Sequence, residues 1–328
     1  MESMIHDITI IGGGPVGLFS GAVAGEMGAS CNVLESRCQM GGIMMAVYPD
    51  KDVYNFPGVP VIRGRDLIHE LLSKLKAFGV SIRPGEYVDQ IRNGEDDVFI
   101  VKSNRTEYVS RAVLMTTGLK AYYSPLVDYI QIQDWDGEEI YEGWPSLDEL
   151  QGRRIAVLYG TPSLFQIPME LEDAIKSITI VCDENTVASH TIEIEDSGKI
   201  KIDTYRNPWR ILRISGKGKP ESLVLLNSQT GEEKDLKVDL VVGFYQGHSR
   251  QTIFSNWGLE MLGQQIKVDQ RMQTSLSRIY AAGDIAWYPG KIKLLSAGIY
   301  EAKIAVRNVL KDIRKSKDAK EFKRRTDV

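Results

Sequence analysis

The stretch that decides the fold is Asp7-Ile8-Thr9-Ile10-Ile11-Gly12-Gly13-Gly14-Pro15-Val16-Gly17-Leu18-Phe19. A β-branched run drops into three glycines and a proline, and a helical pattern of small and apolar residues follows. Gly12, Gly14 and Gly17 satisfy the G-x-G-x-x-G spacing that opens a dinucleotide-binding strand–turn–helix unit. One glycine makes the tight turn, one lets main chain approach a pyrophosphate, and one lets helix and strand pack closely. Pro15 suits the first helical turn, where its missing N–H costs nothing. The helix then aims its free N–H groups and positive dipole end at the phosphates.

Working outward, the next strand, Cys31-Asn32-Val33-Leu34-Glu35, ends in an acid 23 residues after Gly12. An acid there is placed to accept hydrogen bonds from the ribose hydroxyls of an adenosine. The 328 residues suffice for two domains, and a net charge of −4 gives no reason to expect nucleic acid. No apolar run reaches membrane-spanning length, so no membrane segment is expected. The first strand begins almost at the N-terminus, which leaves no room for a signal peptide and makes the cytoplasm the expected compartment. Three cysteines, Cys31, Cys38 and Cys182, are too few for a disulfide framework, and none forms a C-x-x-C pair.

Further along, Leu67, Leu71, Leu72, Leu75 and Phe78 share one face of a helix predicted over Asp66 to Phe78, with Gly79 as its stop. Strands are predicted at Val80 to Arg83, Tyr87 to Ile91, Val98 to Val101 and Tyr108-Val109, the last three as a meander. A separate buried strand, Ala112 to Thr117, ends at Gly118. Arg153 to Pro162 reads as a second strand–turn–helix opening, with its next strand at Ile178 to Val181. Near the end, Arg278 to Ile285 is a short strand ending in Gly-Asp, and Leu294 to Leu310 reads as a helix. Lys311 to Val328 carries eight basic and four acidic residues, which reads as a solvated tail or as a docking surface for an acidic partner.

These landmarks occur in an order that resembles the flavoprotein reductases with two dinucleotide domains. They are Asp7 to Gly17, Glu35, Gly41-Gly42, Tyr48-Pro49, Thr116-Thr117-Gly118 and Ala281-Ala282-Gly283-Asp284. Within that group the chain is most similar to ferredoxin–NADP reductases of the thioredoxin-reductase-like type. Asn256-Trp257-Gly258-Leu259 and Tyr288-Pro289-Gly290-Lys291 point the same way. The implied fold is α/β, with two Rossmann-like domains. An FAD-binding domain would be split between 1–118 and 246–328, around a nicotinamide-type domain at 119–245. Gly12, Gly14, Pro15 and Gly17 would hold the FAD pyrophosphate, and Glu35 the adenosine ribose. Val88 would meet the adenine through its backbone, and Tyr48 and Tyr122 would lie near the isoalloxazine. Asp284 would hold the ribityl and phosphate side, with further cofactor contacts from Gln39, Gly42 and Gly118. Thr326 would reach the flavin of a partner subunit in a homodimer. The implied partner is ferredoxin or a similar electron carrier, with the flavin rather than a catalytic side chain carrying the chemistry.

The second motif departs from that pattern. Where the family opens its nicotinamide site with G-x-G-x-x-A, this chain has Tyr159-Gly160-Thr161-Pro162-Ser163-Leu164, with Pro168 inside the expected helix. Side chains at Tyr159, Thr161 and Leu164 are expected to obstruct a pyrophosphate. The family's arginines for the 2′-phosphate are replaced by Cys182-Asp183-Glu184, and by Ala188 later on, so the charge there repels NADPH. Acids after this strand suit the free ribose of NADH. Three readings stay open: a ferredoxin–NAD(P) reductase, a flavoprotein that has lost nicotinamide use, and a non-catalytic FAD-binding sensor. The stretch Gln133-Asp134-Trp135-Asp136 lacks the cysteine pair of thioredoxin reductases, which excludes disulfide reduction by that route.

Overall fold

In a computed structural model of the protein, the opening β-branched run forms β1 (Ile5–Ile11), with Ile8 and Ile10 fully buried. The residues described are 4–119, 122–123, 125–133, 135, 139–160, 174–182, 200–245, 248–249, 254 and 256–326. The chain divides into two units, Met1–Tyr123 with Ser249–Val328, and Ser124–His248. Helix α1 (Pro15–Glu26) follows the glycines and buries Gly17, Leu18, Ser20 through Ala24 with no polar stripe, as a helix enclosed by its own domain must. Then come β2 (Cys31–Glu35), the short α2 (Gly42–Val47) and α3 (Gly64–Ala77). Helix α3 starts earlier than the predicted Asp66 and buries Leu67, Ile68, Leu71 and Leu75. Each such side chain is worth ~1.5–3 kcal/mol of hydrophobic stabilisation. Phe78 falls just outside the helix as its C-cap and is exposed, and Gly79 at φ +66° turns the chain after it.

Strands β3 (Ser81–Pro84), β4 (Val88–Asn93) and β5 (Phe99–Ser103) precede β6 (Glu107–Met115). The sequence suggests two strands where β6 is one, because Arg111 interrupts its apolar pattern. Its first half pairs antiparallel with β5, while along its other edge it runs parallel to β1.

The second unit contains β7 (Ile130–Gln133), β8 (Ile140–Glu142), α4 (Leu147–Leu150), β9 (Arg154–Gly160), β10 (Ser177–Cys182) and β11 (Lys201–Tyr205). Strands β12 (Trp209–Lys217), β13 (Ser222–Asn227), β14 (Glu233–Lys237) and β15 (Leu240–Tyr245) follow. A parallel sheet runs β8-β15-β9-β10-β11, and a second sheet runs β7-β12-β13-β14. The near-continuous apolar runs of β9, β10 and β15 are those of strands covered on both faces.

Back in the first unit, β16 (Ile279–Ala281) pairs parallel with the C-terminal half of β6. Helix α5 (Leu295–Thr326) is much longer than the predicted Leu294 to Leu310. The solvated-tail reading of Lys311 onward is corrected at its start. Ile313 is buried, and Asp312 accepts the Tyr280 hydroxyl at 2.5 Å and, on both carboxylate oxygens, Arg271 Nη2 at 2.7 Å. The first unit's main sheet thus reads β3-β2-β1-β6-β5-β4, with β16 also on β6. Among the described residues no helix is long and apolar enough to cross a membrane.

Candidate dinucleotide site

The C-terminal ends of β1, β2, β3, β6 and β16 converge on one cleft of about 790 Å³ in the first unit. From β1 the chain winds through β2 to β3 on one side, then crosses over to β6 on the other. Such a reversal leaves a crevice at the strand ends, where open α/β sheets bind their ligands.

The glycines divide the work at its floor. Gly12 adopts φ +108°, and a Cβ there would lie 2.6 Å from the carbonyl oxygen of Thr116. That oxygen belongs to the next strand's loop, so only glycine lets the two turns meet. The Thr116 hydroxyl locks them by donating to Gly12 O at 2.8 Å. A Cβ on Gly17 would sit 1.9 Å from Gly12 O, so Gly17 serves the close seating of α1 and does not line the cleft. Gly14, by contrast, caps α1 and faces open space, with nothing within 4 Å of where its Cβ would be. No side chain caps this helix and no acid stands in its first turn. Its outward N–H groups therefore suit an anion. A floor of this shape fits a pyrophosphate.

Glu35 is buried at 5 % exposure and lines the cleft. One carboxylate oxygen accepts from Gly13 N at 2.7 Å and the other from Arg37 N at 2.9 Å. Its carboxylate thus also braces the glycine turn, a role the spacing alone does not reveal. The Ser36 hydroxyl donates to the oxygen that Arg37 N holds, at 3.2 Å. Pro15, Gly42, Tyr48, Val88, Gly118 and Asp284 also line the cleft. Gln39 stands in the preceding turn, outside the lining. The side chains of Tyr122 and Thr326 lie outside the described residues, as do Thr161, Leu164, Pro168, Asp183, Glu184 and Ala188 altogether. Tyr159 corrects one expectation: its ring is only 3 % exposed and packs in the second unit's core with Ile155, Val157 and Ile178.

Other lining residues emerge only in three dimensions. Glu86, buried at 6 % exposure, follows β3 and stands two residues before Val88. It accepts the Tyr108 hydroxyl at 2.8 Å and the Ser103 hydroxyl at 2.9 Å. Burial, with the Glu86 charge and bond behind it, pushes the Tyr108 hydroxyl well above the ordinary phenol range. Phe254 and Trp257 form an edge-to-face pair at 5.5 Å, and the Trp257 indole N–H donates to Asp89 O. The Lys51 ammonium lies 5.1 Å from the centre of the half-exposed Tyr48 ring. A glycine–acid pair at Gly85-Glu86 after a strand was the only sequence signal for Glu86. Among the described residues no group of three or more His, Cys, Asp or Glu side chains could hold a metal.

The chain is 33 % identical over 310 residues to ferredoxin–NADP reductase 2 of Listeria monocytogenes serotype 4b, an alignment covering 94 % of this chain and 93 % of that one. It belongs to the ferredoxin–NADP reductase family. Ferredoxin–NADP reductase 2 of Bacillus subtilis is 31 % identical over 307 residues, covering 94 % and 92 %. Residues 185–307 match the pyridine nucleotide-disulphide oxidoreductase family. Among solved structures, a ferredoxin-flavin thioredoxin reductase of Clostridium acetobutylicum superposes with a TM-score of 0.51 at 19 % identity, over 96 % of this chain and 99 % of that one. A thioredoxin reductase of Gloeobacter violaceus gives 0.51 at 19 %, over 95 % and 96 %. These likenesses agree on the fold, two Rossmann-like dinucleotide-binding units. Family membership makes the reductase an oxidoreductase, as its landmarks implied.

Proposed function

We propose that this reductase holds FAD in the cleft of its first unit and exchanges electrons between a nicotinamide cofactor and ferredoxin or a similar carrier. The observation that carries this reading is the cleft floor. Gly14 leaves open space at the uncapped start of α1, while Gly12 and Gly17 are already committed to packing. In this reading Gly12, Gly14, Pro15 and Gly17 shape the pyrophosphate cradle, and Glu35 accepts the ribose hydroxyls. Val88 presents backbone to the adenine, and Asp284 holds the ribityl side. Gln39, Gly42 and Gly118 complete the loops around the cofactor, and Tyr48 and Tyr122 flank the flavin. Thr326 reaches across a homodimer, and the cytoplasm is its compartment. FAD, when bound, supplies two-electron exchange with a nicotinamide and one-electron exchange with an iron–sulfur centre. The protein's part is to bind it, orient it and exclude water.

A second reading is favoured by one specific observation, the sequence of the second unit. Its turn lacks the glycine spacing, and Asp183 and Glu184 stand where cations would pair with a 2′-phosphate. On that reading the protein has lost NADPH use and exchanges electrons with carriers alone. One experiment sorts the two: the yellow protein is mixed anaerobically with NADPH, NADH and reduced ferredoxin in turn, and flavin absorbance is followed. Bleaching by a nicotinamide and reoxidation by ferredoxin supports the main reading. Bleaching by reduced ferredoxin alone supports the second, and inertness to every donor overturns both. Failure to bind FAD at all overturns the scheme.

A further inference from the structure

One pair of opposite charges is almost completely buried beside the cleft. The side chains of Lys291 and Glu301 are 6 % and 1 % exposed, and the ammonium reaches both carboxylate oxygens. Desolvation cancels much of the attraction in such a pair, so stability alone is a poor reason to keep it. Both partners converge instead on one residue. Gly283 N donates to Glu301 Oε2 at 2.9 Å, and Gly283 O accepts from Lys291 Nζ at 2.9 Å. Tyr288 braces the pair, its hydroxyl donating to Glu301 Oε1 at 2.8 Å and its ring centre lying 5.4 Å from the ammonium. Burial first, and then the bond to Glu301, push that hydroxyl up to about 12.

Gly283 needs such restraint. It lines the cleft at φ +78°, and its Cα is closely approached by Gly298 of α5, whose Cβ would lie 3.3 Å away. A glycine is the residue whose flanking peptides flip most easily. An ammonium can only donate and an ionised carboxylate can only accept. The pair therefore orients both peptides flanking Gly283, whose carbonyl also accepts from Ala286 N–H, since flipping either would set like poles together. The next residue, Asp284, lines the cleft, and its carbonyl accepts from Gln265 Nε2 at 2.8 Å.

Resting on the FAD reading above, we propose that Lys291 and Glu301 are positioning residues. They form a polarity clamp on Gly283 that sets where Asp284 meets bound FAD and keeps the charge beside the cofactor balanced. An uncompensated cation there favours the electron-rich form of the flavin, and an uncompensated anion disfavours it.

The test measures FAD affinity by fluorescence quenching, midpoint potential by dye-coupled reduction, and apoprotein Tm. Wild-type protein, Lys291→Met, Glu301→Gln, Tyr288→Phe and the swap Lys291→Glu with Glu301→Lys are compared. Glu301→Gln and Lys291→Met should each weaken FAD binding on the order of tenfold, the loss expected for a hydrogen bond to a charged group. The potential should move up in Glu301→Gln and down in Lys291→Met. Tyr288→Phe unpairs no charge, so it should fold and show a smaller affinity loss. The swap restores an ion pair with reversed polarity, so a carboxylate then faces the Gly283 carbonyl; FAD should stay weakly bound and Tm should stay below wild type. Single variants with lowered Tm but unchanged affinity and potential would reduce the pair to a structural tie and overturn the proposal. A swap that binds FAD like wild type would do the same. Wild-type protein that binds no FAD would fail the cleft reading itself, which the first measurement separates from failure of the clamp.

Discussion

Replacing Gly14 with alanine separates the cradle from the packing that supports it. Gly14 is the N-cap of α1 at φ −72° and ψ 179°, a conformation alanine adopts freely, and its Cβ would meet nothing within 4 Å. The apoprotein should lose only the difference between glycine and alanine at an N-cap, about 0.5 kcal/mol. For a domain of this size that is ~1–2 °C in Tm. The methyl group projects into the space assigned to the pyrophosphate, and overpacking of that kind costs ~1–3 kcal/mol. FAD affinity should therefore fall about tenfold or more. Gly12→Ala makes the opposite control. At φ +108° its new Cβ would meet Thr116 O at 2.6 Å and Thr117 Cα at 2.9 Å, both main-chain atoms that cannot move aside alone. Backbone strain and overpacking together cost about 4 kcal/mol, or ~8–16 °C. Differential scanning fluorimetry of the apoprotein and fluorescence titration with FAD read the two effects separately. Wild-type FAD affinity in Gly14→Ala would refute the assignment of that space to a phosphate, whatever Gly12→Ala does.

Glu35→Gln should cost the apoprotein about 2 kcal/mol, because main-chain bonds from Gly13 and Arg37 lose their charged acceptor, and FAD affinity should fall with it. Thermal melts and titrations of the same samples check both. Asp312→Ala leaves the buried Tyr280 hydroxyl without its acceptor and should lower Tm by ~2–12 °C, with FAD affinity within about twofold of wild type. In the second unit, Arg154's hydrogen bonds hold Asp239 down to about 2, against an ordinary 3.8. A depressed folded-state pKa adds stability that is full above the unfolded value and is lost as pH falls through the folded one. Asp239→Asn should therefore flatten the acid loss of stability between roughly pH 4 and 2. The pair is one-third exposed, so the change is under about 1 kcal/mol, read from Tm against pH.

Local chemistry accounts for what was legible. The first glycine spacing, the acid closing β2 and the amphipathic α3 are short-range patterns, so their places could be read directly from the chain. The split of β6 was misread because Arg111 breaks a pattern that pairing on both edges restores. Helix α5 was cut short because charge beyond Leu310 resembles a tail, whereas Arg271 and Tyr280, distant in sequence, anchor Asp312. Tyr159 looked like an obstruction at a turn, yet strand alternation sends its ring into the core.

By itself the sequence determined the Rossmann opening, the acid at Glu35, the Gly-Asp turn at Asp284 and the erosion of the second motif. Each is set by residue type and spacing along one segment. Tertiary structure alone decided which glycine faces open space and which are consumed by packing, because that depends on how closely Thr116 and Gly12 approach across 104 residues. It alone brought Glu86 and Trp257 to the cleft, and Lys291 and Glu301 onto Gly283. Buried polar groups must find partners wherever the fold places them, and no local pattern records which partner that will be.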